Sequence, residues 1–376
     1  MDFDLYTILR IATVFQFLFF VFFLISYKKG RRLSNQLLAV FLFSKALCYL
    51  DGLLFHFRPA VVEWSPHVFF IGESFELLLG PSLYFYIKSL AYSDFKLEKR
   101  QWVHLIPFVV HFIFMVSIFH IHSVGVKREL LANPDFVYFK NVAFSMILIY
   151  IHFLAYSIAS LFVLSNYRSK LKNLYSTIDP IQLSWLRFIA IGFIIIWVSG
   201  LINLLMQING YSILIPWSFI ICGIFLFANI IVFKGLRQPE IFSGIKETSE
   251  KQRYRKTALP QHEMDRYLKK IKQYMGTEKP YLSPSLTLHE LAQKLSLPPH
   301  CISQVINRCL NQNFYIFVNS YRIEESKRML EETTERKKTV LEILYETGFN
   351  SKSTFNHVFK KQTGMTPTQY IRLQKS

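Results

Sequence analysis

The sequence predicts an all-α protein: a seven-helix transmembrane bundle, then an all-helical domain with two helix-turn-helix units joined by a long linker helix. Three observations predict it. Seven stretches are apolar over about the 20 residues that a helix needs to cross a hydrocarbon core about 30 Å thick. The 376 residues are 52% hydrophobic, with a mean hydropathy of +0.26, yet the chain carries a formal net charge of +18. That charge is uneven: residues 1–233 carry +7 and the shorter stretch 234–376 carries +11. A membrane half followed by a basic water-facing half reconciles the three.

The apolar stretches run at about 5–27, 34–57, 67–90, 102–124, 141–165, 185–208 and 212–234. The chain begins Met1-Asp2-Phe3-Asp4 and continues with bulky apolar residues. A secretory signal wants a basic start and a small-residue cleavage site, so the first stretch is expected to be a retained membrane helix. The odd-numbered loops hold ten Lys or Arg: Lys28, Lys29, Arg31, Arg32, Lys96, Lys99, Arg100, Arg168, Lys170 and Lys172. The opposite loops hold four: Arg58, Lys127, Arg128 and Lys140. Basic loops stay in the cytoplasm, which places the N-terminus outside and, after seven crossings, the C-terminus inside.

Ionisable groups inside apolar spans cost free energy and face a bundle interior, paired or in use. Lys45, Glu73, Glu76, His111 and His152 are such groups, and Asp51, His104 and polar Asn203 also lie inside the spans. Glu73 and Glu76 share one helix face, and His104 and His111 share another. Two readings stand: a ligand or proton site within the bundle, or a structural ion pair of Lys45 with Glu73 or Glu76 plus interfacial histidines. The four cysteines, Cys48, Cys222, Cys301 and Cys309, form no C-x-x-C pair and no zinc spacing with His, so no metal or cofactor is expected.

Residues 235–260 read as a cytoplasmic linker. Gln238-Pro239 stops the seventh helix, and a charged run leads to Arg253-Tyr254-Arg255-Lys256. That basic-aromatic run suits phosphate, an anionic leaflet or a solvated hinge. A helical pattern resumes with Met264, Tyr267, Leu268, Ile271 and Met275.

Thr287-Leu288-His289-Glu290 is a capping box that opens a helix with the buried stripe Leu288, Leu291, Ala292 and Leu295. Ser296-Leu297-Pro298 is the turn. The next helix starts near Pro299, with Ile302, Val305 and Ile306 inward and His300, Ser303, Gln304, Asn307 and Arg308 outward. Gln and Asn pair with adenine edges in a major groove, and Ser accepts or donates to several bases. The design repeats. Val340, Leu341, Ile343 and Leu344 build a helix ending at Gly348, whose lack of a Cβ permits a left-handed turn. A helix over 352–363 follows, with Phe355, Val358 and Phe359 inward and Lys352, Ser353, Asn356, His357, Lys360 and Lys361 outward. Gly364 ends it, and Thr366-Pro367 opens a last short helix whose first N–H groups form a phosphate seat. One long helix, about 313–331, spaces the two units by about 27 Å, near the repeat of successive major-groove faces.

The segments Leu286-Thr287-Leu288-His289-Glu290-Leu291-Ala292, Tyr321–Leu330 and Gly348–Tyr370, the last ending G-x-T-P-x-x-Y, carry a resemblance. Residues 262–376 resemble the DNA-binding domain of the arabinose-operon regulator (AraC) family, and the layout is similar to that of its membrane-embedded bacterial members. The resemblance implies regulation of promoters. By position, base contacts fall to His300, Ser303 and Gln304 in the first unit and to Ser353, Asn356 and His357 in the second. It also implies operator DNA, RNA polymerase and a second copy of the chain as partners. Membrane lipid and an unknown signal ligand complete the set, and the bacterial cytoplasmic (inner) membrane is the location. Two positions depart from the family pattern: Ser296 stands where Gly is frequent, and Leu344 where a small Ala is usual. Leu344 is expected to push its helices apart or be absorbed by repacking. The division expected is 1–234 membrane bundle, 235–260 linker and 261–376 reading domain.

No enzyme is expected. The sequence has no G-x-S-x-G, P-loop, dinucleotide fingerprint, H-E-x-x-H or kinase ATP site. Nor is an inverted repeat of a transporter evident. The alternative to DNA is a basic helical domain that binds a protein partner or anionic lipid. A membrane surface would want a basic amphipathic face with Trp or Leu opposite, whereas the Gln, Asn, Ser and His of the outer faces favour base edges.

Overall fold

The computed structural model describes residues 4–27, 31–133, 140–179, 183–212, 215–236, 259–336 and 338–374. Among them the chain is all-helical, with one isolated antiparallel bridge, Tyr175 to Thr287. It divides into two compact units. The first comprises residues 1–164 and 183–244; the second comprises 165–182 and 245–376.

The first unit contains the spans. α1 (Leu5–Ser26) is opened by Asp4, whose carboxylate accepts from the Thr7 amide at 2.9 Å. α2 (Arg32–His56) packs between α1 and α4 (Glu76–Ala91). The short helix α3 (Arg58–Trp64) and 3₁₀ turns at Pro66–Val68 and Glu73–Phe75 lead into α4. The fourth span is composite: a 3₁₀ turn at Lys99–Leu105, α5 (Ile106–Met115) and a π turn at Val116–His120. α6 (Val124–Ala132), α7 (Lys140–Leu174), α8 (Ser184–Ile208) and α9 (Trp217–Leu236) complete the unit's helices, although the end of α7 belongs to the second unit.

Seven of these helical stretches are long and apolar enough to cross a membrane. Their boundaries fall within a few residues of the expected ones except at two ends. α7 continues nine residues past the expected 165, and the seventh span starts at Trp217 instead of 212. Polar Asn209 and Gly210, with its positive φ of 78°, end α8 and delay the restart. α1 turns Phe15, Phe22 and Ile25 outward, each more than two-thirds exposed. An apolar face of this kind needs lipid or protein against it. Inside, Phe153 of α7 stacks on Trp197 of α8 at 3.9 Å, and Gly200 lets the Tyr150 ring lie against the α8 backbone.

The second unit holds two cores. α10 (Gln261–Thr277), α11 (Leu288–Leu295), α12 (Pro299–Leu310) and the start of α13 (Phe314–Arg336) enclose Ile271, Leu291, Ile302, Val305, Phe317 and their neighbours. The rest of α13 joins α14 (Val340–Glu346), α15 (Lys352–Thr363) and α16 (Pro367–Gln374) around Ile323, Ile343, Leu344, Phe349, Phe355 and Phe359. One helix thus serves both cores. α13 runs five residues beyond the expected end at 331, and α15 matches its expected 352–363. The expected linker falls almost wholly outside the described residues, and Arg253-Tyr254-Arg255-Lys256 lies entirely there.

Candidate nucleic-acid interface

Each helix-turn-helix unit is shaped by local chemistry. At α11, the Thr287 amide donates to Glu290 Oε2 at 2.9 Å and the Glu290 amide donates to Thr287 Oγ1 at 3.1 Å. Ser296 closes α11 at φ 52°, a left-handed conformation that costs a residue with a Cβ. In the second unit a capping box between Thr339 and Glu342 opens α14, and Gly348 turns the chain at φ 85°. There a Cβ would lie 2.6 Å from the Tyr281 carbonyl oxygen, so the position demands glycine twice over. Phe349 meets Phe355 edge-on at 5.1 Å, and Ser351 caps α15 through the Thr354 amide.

α15 presents its expected face. Lys352, Ser353, His357 and Lys360 are exposed, and Asn356 is half-buried. The first unit differs from expectation. His300 and Asn307 are half-buried and Arg308 is exposed, but Ser303 is 5% and Gln304 only 2% exposed. These two do not face outward. The helical pattern gave α12 one narrow inward face, Ile302, Val305 and Ile306, whereas α10 packs along it as well as α11 and widens the buried face. The Leu259 amide donates to Gln304 Oε1 at 3.4 Å, and Asn307 donates to Ser303 Oγ at 3.3 Å. In this conformation neither residue is open to a base edge. Thr366 also differs in detail. Its amide donates to Gln369 Oε1 at 2.9 Å, so a side chain already occupies that N–H of the expected phosphate seat.

The membrane residues expected as one site separate into neighbouring groups. Lys45 donates to Glu76 Oε1 at 2.8 Å, and its ammonium lies 4.9 Å from the Trp197 ring centroid. Both line a cavity of about 160 Å³ with Arg10, Tyr49 and Tyr150. Asp51 accepts from the amides of Gly72 and Glu73 at 2.6 and 3.0 Å, pinning the turn before α4. Glu73 Oε1 is buried and has no hydrogen-bond partner among the described residues. His111 Nδ1 and Ser74 Oγ are hydrogen-bonded at 2.9 Å. His152 lies with its ring 4.9 Å from that of Tyr156, whose hydroxyl is hydrogen-bonded to His104. Among the described residues, no three His, Cys, Asp or Glu side chains group as a metal site requires.

Two side chains that the sequence did not single out organise the second unit. Arg322, within α13 between the cores, is 0% exposed and donates to backbone and side-chain oxygens on several segments. Burial pushes its pKa down to about 10, so the guanidinium keeps its charge at neutral pH. Asp179 accepts a hydrogen bond from the Thr354 hydroxyl, in the first turn of α15.

Residues 291–373 match a family model described as a helix-turn-helix domain. The melibiose operon regulatory protein of Escherichia coli K12 is 26% identical over 105 residues, 28% of this chain and 34% of that protein. An uncharacterized HTH-type transcriptional regulator of Staphylococcus aureus is 34% identical over 85 residues, 23% of this chain and 11% of the relative. Another, from Pseudoalteromonas carrageenovora, is 47% identical over 51 residues, 14% of this chain and 28% of the relative. The matches span about a third or less of each relative's length. No solved structure matches.

Proposed function

From a C-terminal helix-turn-helix domain of the AraC type, we propose that the chain is a membrane-bound, sequence-specific DNA-binding transcription regulator. The observation that carries this reading is the twice-built unit, with α15 presenting Lys352, Ser353, Asn356, His357 and Lys360 along one face. Lysines at this face meet phosphate, and Asn356 and His357 meet base edges. The division into bundle 1–234, linker 235–260 and reader 261–376 is part of the same reading, with residues 165–182 added to the reader. Operator DNA, RNA polymerase, a second copy of the chain and membrane lipid are its partners.

The bundle senses a signal and passes it to the reader. The Lys45–Glu76 pair and its cavity support a small polar ligand or a proton as that signal, because a charged pair beside open volume can be re-paired. The chain lies in the bacterial inner membrane with its N-terminus outside and its reader in the cytoplasm. Ten basic residues against four support that orientation, as does the packing of loop-five residues within the reading unit.

The test is selection of bound sequences from random DNA by the full chain in lipid nanodiscs. A defined motif is expected. Asn356→Ala should then relax preference at one position, at about 1–3 kcal/mol for a lost bidentate contact. Equal binding of all DNA, or capture of anionic lipid vesicles in its place, overturns the reading.

A further inference from the structure

The segment between the fifth and sixth spans is built into the reader. α7 is continuous from Lys140 to Leu174, so its 35 residues reach about 52 Å, well beyond a hydrocarbon core of about 30 Å. Where it ends, the chain pairs with the segment leading into α11. The Ser176 amide donates to the Leu286 carbonyl at 3.1 Å, and the Ser176 hydroxyl donates to the same oxygen at 2.7 Å. Thr177 Oγ1 donates to the Pro284 carbonyl at 2.9 Å. Ile178 is 3% exposed, and Leu174 packs on the first core.

This segment completes the socket of Arg322. The guanidinium donates to the carbonyls of Tyr281 and Ser283, both at 2.7 Å, and to Asn319 Oδ1 at 3.2 Å. Its other acceptors come from loop five: Ser176 Oγ at 3.1 Å, Thr177 Oγ1 at 3.3 Å and the Ser176 carbonyl at 3.4 Å. A buried guanidinium needs its donors satisfied, so the seat has a chemical requirement that an extended Ser-Thr segment meets. Beyond the socket, Asp179 reaches the Thr354 hydroxyl.

We propose that residues 172–179 are an intramolecular clamp, seated in the Arg322 socket, that holds the reader in a state of low DNA affinity until the fifth span moves. The proposal rests on the DNA-reading role argued above. Its sign follows from position. The N-terminal turn of a reading helix is the part that meets the bases, and Thr354 lies in that turn of α15, next to Ser353. A docked Asp179 puts a carboxylate beside that turn, and its charge opposes the approach of a polyanion. The clamp follows the fifth span along the continuous helix α7, which gives a movement of that span a covalent path to it.

The experiment uses the full chain in nanodiscs. Affinity for the selected DNA is measured for wild type, Asp179→Ala, and Ser176→Gly with Thr177→Gly. Amide hydrogen exchange is followed on the same samples. Asp179→Ala should tighten DNA binding by about tenfold. The double glycine variant should do likewise and speed exchange of the residue 176 amide, which donates to the Leu286 carbonyl. Unchanged or weaker DNA binding by both variants overturns the regulatory role. Exchange of the wild-type Ser176 amide at the rate of an open peptide overturns the docking. If no sample prefers any sequence over random DNA, the reading role fails and the regulatory role falls with it. Slow exchange at Ser176 then still upholds the docking.

Discussion

Arg322 shows how one side chain can hold several segments without, among the described residues, a carboxylate partner. Its acceptors among the described residues are neutral oxygens, so the socket depends on geometry instead of charge pairing. Nothing in the sequence marks it: it stands in the Tyr321–Leu330 run beside other charged residues, and only the fold separates it from exposed Arg328. Gln304 carries the opposite lesson. Its polarity and spacing suggested a base contact, yet its amide oxygen serves the Leu259 backbone. Ser296 is legible in both sequence and structure. It stands where the family often has Gly, and it adopts φ 52°. A Cβ in that region costs about 1–2 kcal/mol. Ser296→Gly should therefore stabilise the reader by about 1 kcal/mol, after a small offset from the freer unfolded chain. The full chain resisting proteolysis no better than wild type would count against this.

At the scale of elements, periodicity found the helices but not all of their partners. The inward residues of α11, Leu288, Leu291, Ala292 and Leu295, and those of α15, Phe355, Val358 and Phe359, are all buried. Each of these helices has one wide apolar stripe, and a stripe of that spacing admits only one inward face. α14 is less regular: Leu344 is 1% exposed, whereas Leu341 is 49% exposed. Leu344 is therefore absorbed into the second core beside Phe349 and Phe355, in place of the usual small residue. The core now depends on its volume. Leu344→Ala, although it restores the family's common residue, should destabilise the second unit by about 2–5 kcal/mol through the cavity it leaves. Faster hydrogen exchange confined to α14 and α15 would report that loss. A variant as stable as wild type would show that the helices close the gap.

At the scale of the molecule, orientation is the property that joins the two halves. With the N-terminus outside, as proposed, seven crossings would bring the reader to the side where DNA lies. In a variant lacking the native cysteines, Tyr211→Cys should be labelled in intact cells by a membrane-impermeant thiol reagent, because Tyr211 is exposed in the loop before α9. Glu98→Cys, in the basic third loop, should be labelled only after the cells are opened. The reverse pattern would place the reader outside and sink the regulator reading. In the proposed sensing role, residues 165–182, which follow the fifth span in sequence and belong to the second unit, would offer a route for a signal in addition to the linker after the seventh.

The sequence by itself determined the seven apolar spans, both helix-turn-helix units, the Thr287–Glu290 cap, the turns at Ser296 and Gly348, and the outward face of α15. Those features follow from local rules: hydropathy over about 20 residues, a 3.6-residue period, and the few side chains that close a helix end. Tertiary structure alone decided the burial of Ser303 and Gln304, the grouping of the membrane charges and the seating of Ser176 and Thr177 against Arg322. Ser176 and Arg322 are far apart along the chain, and neither pattern nor spacing encodes their meeting. What brings them together is the requirement that a buried guanidinium find acceptors wherever the fold supplies them.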